Sequence, residues 1–234
     1  MLTLAIEISN PSSAIEGSAS KPGVAIARSE VGSQTIVGVE PVDLSKRSEE
    51  DLIPAIDRLC RRLEITPRSI TRYAVSAGPG GYTALRLAVV TAKLLAEASH
   101  GSCIAVPTSH VAAFRAEKGQ PFAVALQSKA DAAFVTFFDA QGRATGEGSL
   151  LTAEQFATES QPRGIKLLIA DRFLPAAIRA AAEAAAIAIA PPQLDPVALL
   201  HASAGLPEVQ PMDLVPLYAR EPEAVTKWRQ LHGS

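Results

Sequence analysis

Residues 76–86 read Ser-Ala-Gly-Pro-Gly-Gly-Tyr-Thr-Ala-Leu-Arg. They follow an apolar run, Tyr73 to Val75, and precede a long helical pattern. The order strand, glycine-rich turn, helix commits this part of the chain to an α/β unit. Such units aim backbone N–H groups at an anion or at a partner. Gly78, Gly80 and Gly81 around Pro79 permit positive φ and the close approach of another backbone. Thr83 reads as the N-cap, because its hydroxyl can accept from the first free N–H groups of the helix. Arg86 lies one turn further on. Two readings stay open here: a binding turn, or a tight turn that merely starts a helix.

The flanking pattern places this unit within a larger fold. Leu2 to Ile8, Gly23 to Arg28 and Thr35 to Val42 read as strands whose short linkers make an antiparallel meander. The period then changes. Leu52, Ile56, Leu59, Cys60 and Leu63 form one helical stripe opposite Asp57, Arg58, Arg61 and Arg62. Strand Arg72 to Ala77 leads into the glycine turn. The helix after it spans about Ala84 to Ser99, with Gly101 as its C′ residue. That helix is apolar nearly all round, so it must pack on two sides. One side can be a sheet; the other requires a second helix, another lobe or another chain.

A short strand, Cys103 to Val106, and a small helix from Pro107 to Phe114 mark the expected lobe boundary, giving lobes 1–106 and 107–234. Phe122 to Leu126 and Ala132 to Phe138 read as a hairpin, and Lys166 to Ala170 as a further strand. Pro175 to Ala190 reads as an alanine-rich helix stopped by Pro191 and Pro192. Asp195 as N-cap and Pro196 at the first helical position open a helix through Ala204. Val215 to Glu223 reads as extended. The fold class is α/β, with two related lobes of mixed sheet and flanking helices.

Composition limits the chemistry. A formal net charge of -2 offers no global attraction for nucleic acid. Cys60 and Cys103 read as buried free thiols. His100, His110, His201 and His232 are not paired at helical spacing, and no zinc-type cysteine pair or Walker lysine occurs, so no metal or cofactor is expected. Ser109 and His110 are adjacent, which does not by itself make a relay. The opening residues lack a basic n-region, and no apolar run reaches membrane-spanning length. The cytoplasm is the expected compartment.

Several separated motifs, in order through most of the chain, resemble the TsaB (YeaZ) family. Gly78 to Leu87 is similar to that family's Gly-Pro-Gly-Ser-Phe-Thr-Gly-Leu-Arg-Ile signature. Val106-Pro107-Thr108-Ser109-His110 resembles its serine-containing turn, and Leu126 to Val135 its Asp-Ala-Arg hairpin. Pro216-Leu217-Tyr218-Ala219-Arg220 with Glu223-Ala224-Val225 resembles its C-terminal tail. There are departures. Glu7 stands where the family has an Asp on its first strand. Gly81-Tyr82 replaces Ser-Phe, and Ala84 replaces a glycine. Gln127-Ser128-Lys129 replaces an acidic turn, and Arg47-Ser48-Glu49 replaces His-Ser-Glu.

The resemblance implies two ribonuclease-H-like lobes of the actin-like ATPase (ASKHA) superfamily. It also implies a non-catalytic scaffold for threonylcarbamoylation of adenosine in tRNA. Such a scaffold pairs with a TsaD-type catalytic subunit, is joined in the complex by a TsaE-type ATPase, and can form a homodimer. Its shared contact surface is the first two helices, which makes Leu52, Leu59, Leu63, Leu87, Val90, Thr91 and Leu94 the candidate interface residues. Contact with tRNA is expected to be indirect. The arginines Arg58, Arg61, Arg62, Arg68 and Arg72 read either as a solvated face or as an aid to steering tRNA. Two alternatives stand beside this. One is an ATP-dependent transferase or peptidase-like enzyme of the same superfamily acting alone, with Glu7 holding a water near a phosphate. The other is a divergent homologue that keeps the dimerising helices without the tRNA role.

Overall fold

The computed structural model describes residues 1–10, 20–30, 33–43, 48–129, 131–219 and 228. Its frame is two five-stranded mixed sheets. The first contains β1 (Leu2–Glu7), β2 (Gly23–Glu30), β3 (Ser33–Pro41), β4 (Ile70–Gly78) and β5 (Ser102–Pro107), in the order β3-β2-β1-β4-β5. The second contains β6 (Phe122–Lys129), β7 (Ala132–Phe138), β8 (Ser149–Thr152), β9 (Leu167–Ala170) and β10 (Ala188–Ala190), in the order β10-β9-β6-β7-β8. Each sheet begins with an antiparallel meander and continues with two parallel strands beside the first strand of the meander. The second sheet therefore repeats the connectivity of the first.

Period-2 alternation decides what each sheet face buries. On β1, Leu4 and Ile6 face a core shared with α1 (Ser48–Arg62) and α2 (Tyr82–Ser99), while Ala5 faces the other way. There Ala5, Ala25, Ala27 and Ala74 make a shallow surface. It joins α3 (Thr108–Arg115), α6 (Pro196–Ala202) and the β6 residues Phe122, Val124 and Leu126 in a middle core. The opposite face of β6, Ala123 and Ala125, packs with α4 (Ala153–Ser160) and α5 (Ala176–Ala184). Small residues facing α6 and large ones facing α2 set how closely each helix approaches its sheet.

The middle layer is tied by one carboxylate. Asp195 caps α6 by accepting from the Ala198 N–H at 2.8 Å. It also takes both Nε and Nη2 of Arg115 on α3, at 2.9 and 3.0 Å, and the Ser20 hydroxyl at 2.9 Å. Burial pushes its pKa up, but these donors outweigh burial and hold it below the usual carboxylate range.

Four details differ from the sequence reading. The α2 N-cap is Gly81, with no side-chain cap, and Thr83 lies inside the helix. The Gly81 N–H is given to the Ser9 carbonyl, which fixes the start of the helix. At the other end of α2 the left-handed residue is His100 (φ 54°), not Gly101. Gly101 is needed instead because a Cβ there would overlap the Thr71 carbonyl. The alanine-rich helix stops at Ala184. Ala186 turns left-handed (φ 53°), Ile187 enters the core and 188–190 pair in parallel with β9. A run of alanines carries no stop signal of its own, so the tertiary position of Ile187 decides. Finally, β8 and α4 lie where no element was read, although Thr152 and Gln155 form a reciprocal capping box there.

No helix among the described residues is long and apolar enough to cross a membrane. Replacing the α6 cap tests the middle layer. Asp195→Ala removes the cap and strands Arg115, and is expected to destabilise the protein by about 2–3 kcal/mol, read from urea denaturation midpoints.

Candidate functional site

Three segments meet at the ends of β1 and β4. Glu7, the last residue of β1, is buried. One carboxylate oxygen accepts from the Ser9 N–H (2.9 Å) and the Ser9 hydroxyl (2.6 Å); the other accepts from the Ser76 hydroxyl of β4. Burial pushes the Glu7 carboxyl above its usual range, more than the hydrogen bonds from Ser76 and Ser9 lower it, and Asp195 pushes in the same direction. The Ser9 carbonyl in turn accepts from the Gly81 N–H at 2.7 Å. A Cβ on Gly80 would overlap that same carbonyl. The turn after β1 and the glycine turn after β4 are thereby locked together.

The other side of the glycine turn is taken by the C-terminal segment. Leu217 donates its N–H to the Ala77 carbonyl at 2.6 Å. Its own carbonyl lies where a Cβ on Gly78 (φ +123°) would sit. The Gly78–Pro79 bond is cis. Next to it the Tyr218 ring packs 5.4 Å from that of Tyr82, and the Arg86 guanidinium lies 4.4 Å over Tyr82 while donating to the Tyr218 hydroxyl at 3.2 Å. Gly78, Pro79, Gly80, Gly81 and Arg86 thus act as a seam filled by protein on both sides. Arg220, Glu223, Ala224 and Val225 lie outside the described residues, as do Arg47, the turn residues Pro11, Ser12 and Ser13, and His232.

Asn10 extends the seam to the second sheet. Its amide donates to Asp171, just past β9, at 3.3 Å, and Asp171 also accepts from the Phe173 N–H. Sequence reading missed Asp171. Its only local signal was a lone acid after a short apolar run.

The expected interface residues divide sharply. Leu52 and Leu59 are fully buried in the core under α1, and Thr91 is buried on α2. Helical phase explains this for Leu52 and Leu59, which lie on the face of α1 turned towards the sheet, and burial keeps all three from a partner in the folded chain. Leu63 and Leu87 are partly buried against the same core. Val90 (51% exposed) and Leu94 (65% exposed) stand one turn apart on the outer face of α2.

The basic cluster is largely neutralised. Arg58 bonds Asp51 and Glu40, Arg62 bonds Glu40, Arg61 pairs with Asp57, and Arg72 pairs with Glu208. These partners leave little positive field for a phosphate backbone.

The remaining reactive groups are dispersed. His201 stacks on Phe114 at 4.7 Å, and half-buried His110 meets Phe138 edge-on, with burial lowering its pKa. Among the described residues no three metal-ligating side chains converge. Both cysteines are buried and free; burial raises their thiol pKa values, that of Cys103 to about 11.

Comparison with known proteins places this geometry. Residues 25–158 match the family model described as TsaD, tRNA N6-adenosine threonylcarbamoyltransferase. No curated protein sequence gives a significant match. Among solved structures, an uncharacterized Pseudomonas aeruginosa protein with similarity to peptidase YeaZ aligns over 94% of this chain and 99% of its own, with TM-score 0.66 and 19% identity. YeaZ from Pseudomonas aeruginosa aligns over 93% and 99%, with TM-score 0.60 and 17% identity.

The buried carboxylate has a measurable signature. The unfolded chain loses the Glu7 proton at a lower pH than the folded one. Stability is therefore expected to fall as pH rises from the ordinary glutamate value through the higher folded value. Glu7→Gln should remove that fall, seen as a flatter profile of urea midpoints above the ordinary glutamate range.

Proposed function

The chain belongs to the TsaD family and has the two-lobed, actin-like fold of the YeaZ (TsaB) type; from this premise we propose that it is a non-catalytic scaffold subunit for threonylcarbamoylation of adenosine in tRNA. In this reading it pairs with a TsaD-type catalytic subunit, and a TsaE-type ATPase and the tRNA join through that complex. A homodimer uses the same face and competes with the pair. The reading assigns the protein to the cytoplasm.

The observation that carries the proposal is the outer face of α2. Val90 and Leu94 are exposed aliphatic side chains, one turn apart, on a helix whose opposite face is fixed in the core. A rigid helix loses little freedom on docking, so apolar burial there converts efficiently into affinity. Covering the two side chains contributes about 2–4 kcal/mol before association costs.

The seam supports the same reading. The strand–turn–helix unit that could cradle a phosphate is occupied by Ser9 and Leu217. The acid at the end of β1 is held by two serines. The residues that a nucleotide enzyme spends on its ligand are here spent on holding the lobe together.

Size exclusion with light scattering tests this on the chain alone and mixed with the TsaD-type protein of the same source. A heteromeric species that displaces any homodimer is expected. Leu94→Asp should weaken it by about 30-fold or more with an unchanged circular dichroism spectrum, because a charge would be buried in the contact. Absence of any heteromer with the unmodified chain would sink the proposal.

A further inference from the structure

The helices beside the two sheets end in the same way. Beside the first sheet, α1 closes through Glu64 (φ 54°), which gives its N–H to the Arg61 carbonyl, while Ile65 gives its own to Cys60. Beside the second, α4 closes through Gly164 (φ 63°), with Gly164 bonded to Gln161 and Ile165 to Ser160. The neighbouring helices match too. His100 and Gly101 bond back to Glu97 and Ala96 after α2, as Ala186 and Ile187 bond back to Glu183 and Ala182 after α5. These bonds set the two corners in register, residue by residue.

The corners are filled differently. Beside the first sheet Leu63 and Leu95 pack against the core. Buried Tyr73 donates its hydroxyl to the Ile70 carbonyl at 2.9 Å and bonds the Ser99 hydroxyl. The positions that match Leu63, Leu95 and Ser99 hold Arg163, Ala181 and Ala185. Strand pairing matches Tyr73, opposite Cys103, with Leu168, opposite Ile189. Arg163 lies over the Phe137 ring at 4.5 Å and pairs with Glu159, so it does not replace the missing leucine. The result is a pocket of about 450 Å³ between the ends of α4 and α5, a size that suits a small organic ligand.

The walls divide by chemistry. Ala157, Ala181, Ala184, Ala185, Ile165 and Ile187 make an apolar floor. The helix-end carbonyls of Ser160, Gln161, Ala182 and Glu183 already accept from the N–H groups just named, and the Ser160 hydroxyl donates to the Ala157 carbonyl at 3.3 Å. Lys166 is the charged side chain of the lining; it is exposed and makes no ion pair with a described residue. An unpaired ammonium beside a floor of methyl groups suits a ligand with a hydrocarbon body and an anionic head. One cation matches the single charge of a carboxylate better than the double charge of a phosphate monoester.

We propose that this pocket binds an aliphatic monocarboxylate, its chain laid between Ala157 of α4 and Ala181 and Ala185 of α5 and its carboxylate on Lys166. The pocket is built from α4 and α5, not from α1 or α2, and its test uses the chain alone, so its failure leaves the partner reading untouched.

Isothermal titration of the full chain with octanoate, octylammonium and octanol decides the matter. Octanoate should bind saturably in the micromolar-to-millimolar range, and octylammonium about tenfold or more weakly. Ala181→Leu restores the side chain that Leu95 supplies in the other corner; it should weaken octanoate about tenfold or more with an unchanged circular dichroism spectrum. Because an added side chain can disturb packing, Lys166→Gln serves as the second variant. It alters an exposed residue, and should weaken octanoate about fivefold and remove its preference over octanol. The proposal is overturned if octanoate does not bind saturably, if octylammonium binds as tightly, or if either variant, folded, binds octanoate as the original does.

Discussion

One buried carboxylate organises the centre of this molecule. Glu7 is the point at which β1, the turn behind it and β4 are held in common. Two of its three hydrogen bonds position Ser9, and the Ser9 carbonyl then fixes Gly81, the residue from which α2 starts. The axis of α2, and with it the exposed pair Val90 and Leu94, is therefore set from inside the sheet. Burying a carboxylate is costly unless its oxygens are satisfied. Here two serines and a backbone N–H meet that need, and the raised pKa records the cost that remains.

The same residues account for how much could be read without coordinates. The alternation of Leu4, Ala5 and Ile6, the stripe through Leu52, Ile56 and Leu59, and the glycine motif at 78–81 each declare their element, because periodicity and backbone permissiveness are local properties. The pairing of Asp195 with Pro196 was legible for the same reason, as a helix start. Other features were not. Leu52 and Leu59 satisfy the pattern of an apolar face equally well whether a sheet or a partner covers it, and only the packing shows that the sheet does. Asp171 and Leu217 acquire meaning through residues far away in the chain, Asn10 and Gly78. The polyalanine stretch conceals the end of α5, since identical residues offer no contrast by which to place a boundary.

Duplicated connectivity need not produce duplicated roles. Both sheets share the sequence of meander followed by two parallel strands. The first pairs its parallel strands with the long helix α2; the second uses the shorter α4 and α5 around a core rich in alanine. The first lobe thus presents the long rigid element, while the second contributes Phe134 and Thr136 to a concave surface. Division of labour follows from side-chain volume on otherwise equivalent frames.

The clasp between Leu217 and Ala77 joins residues made at very different moments of translation. The strands of the first sheet all leave the ribosome before residue 108, so that sheet can pair early. The glycine turn can be closed only after the whole second lobe has been synthesised and the chain has returned. Long-range contacts of this kind form late, because loop closure must precede their reward. During that interval Gly78 and the start of α2 lie uncovered. Only the returning segment around Leu217 closes the turn, so chain order alone decides when this seam is complete.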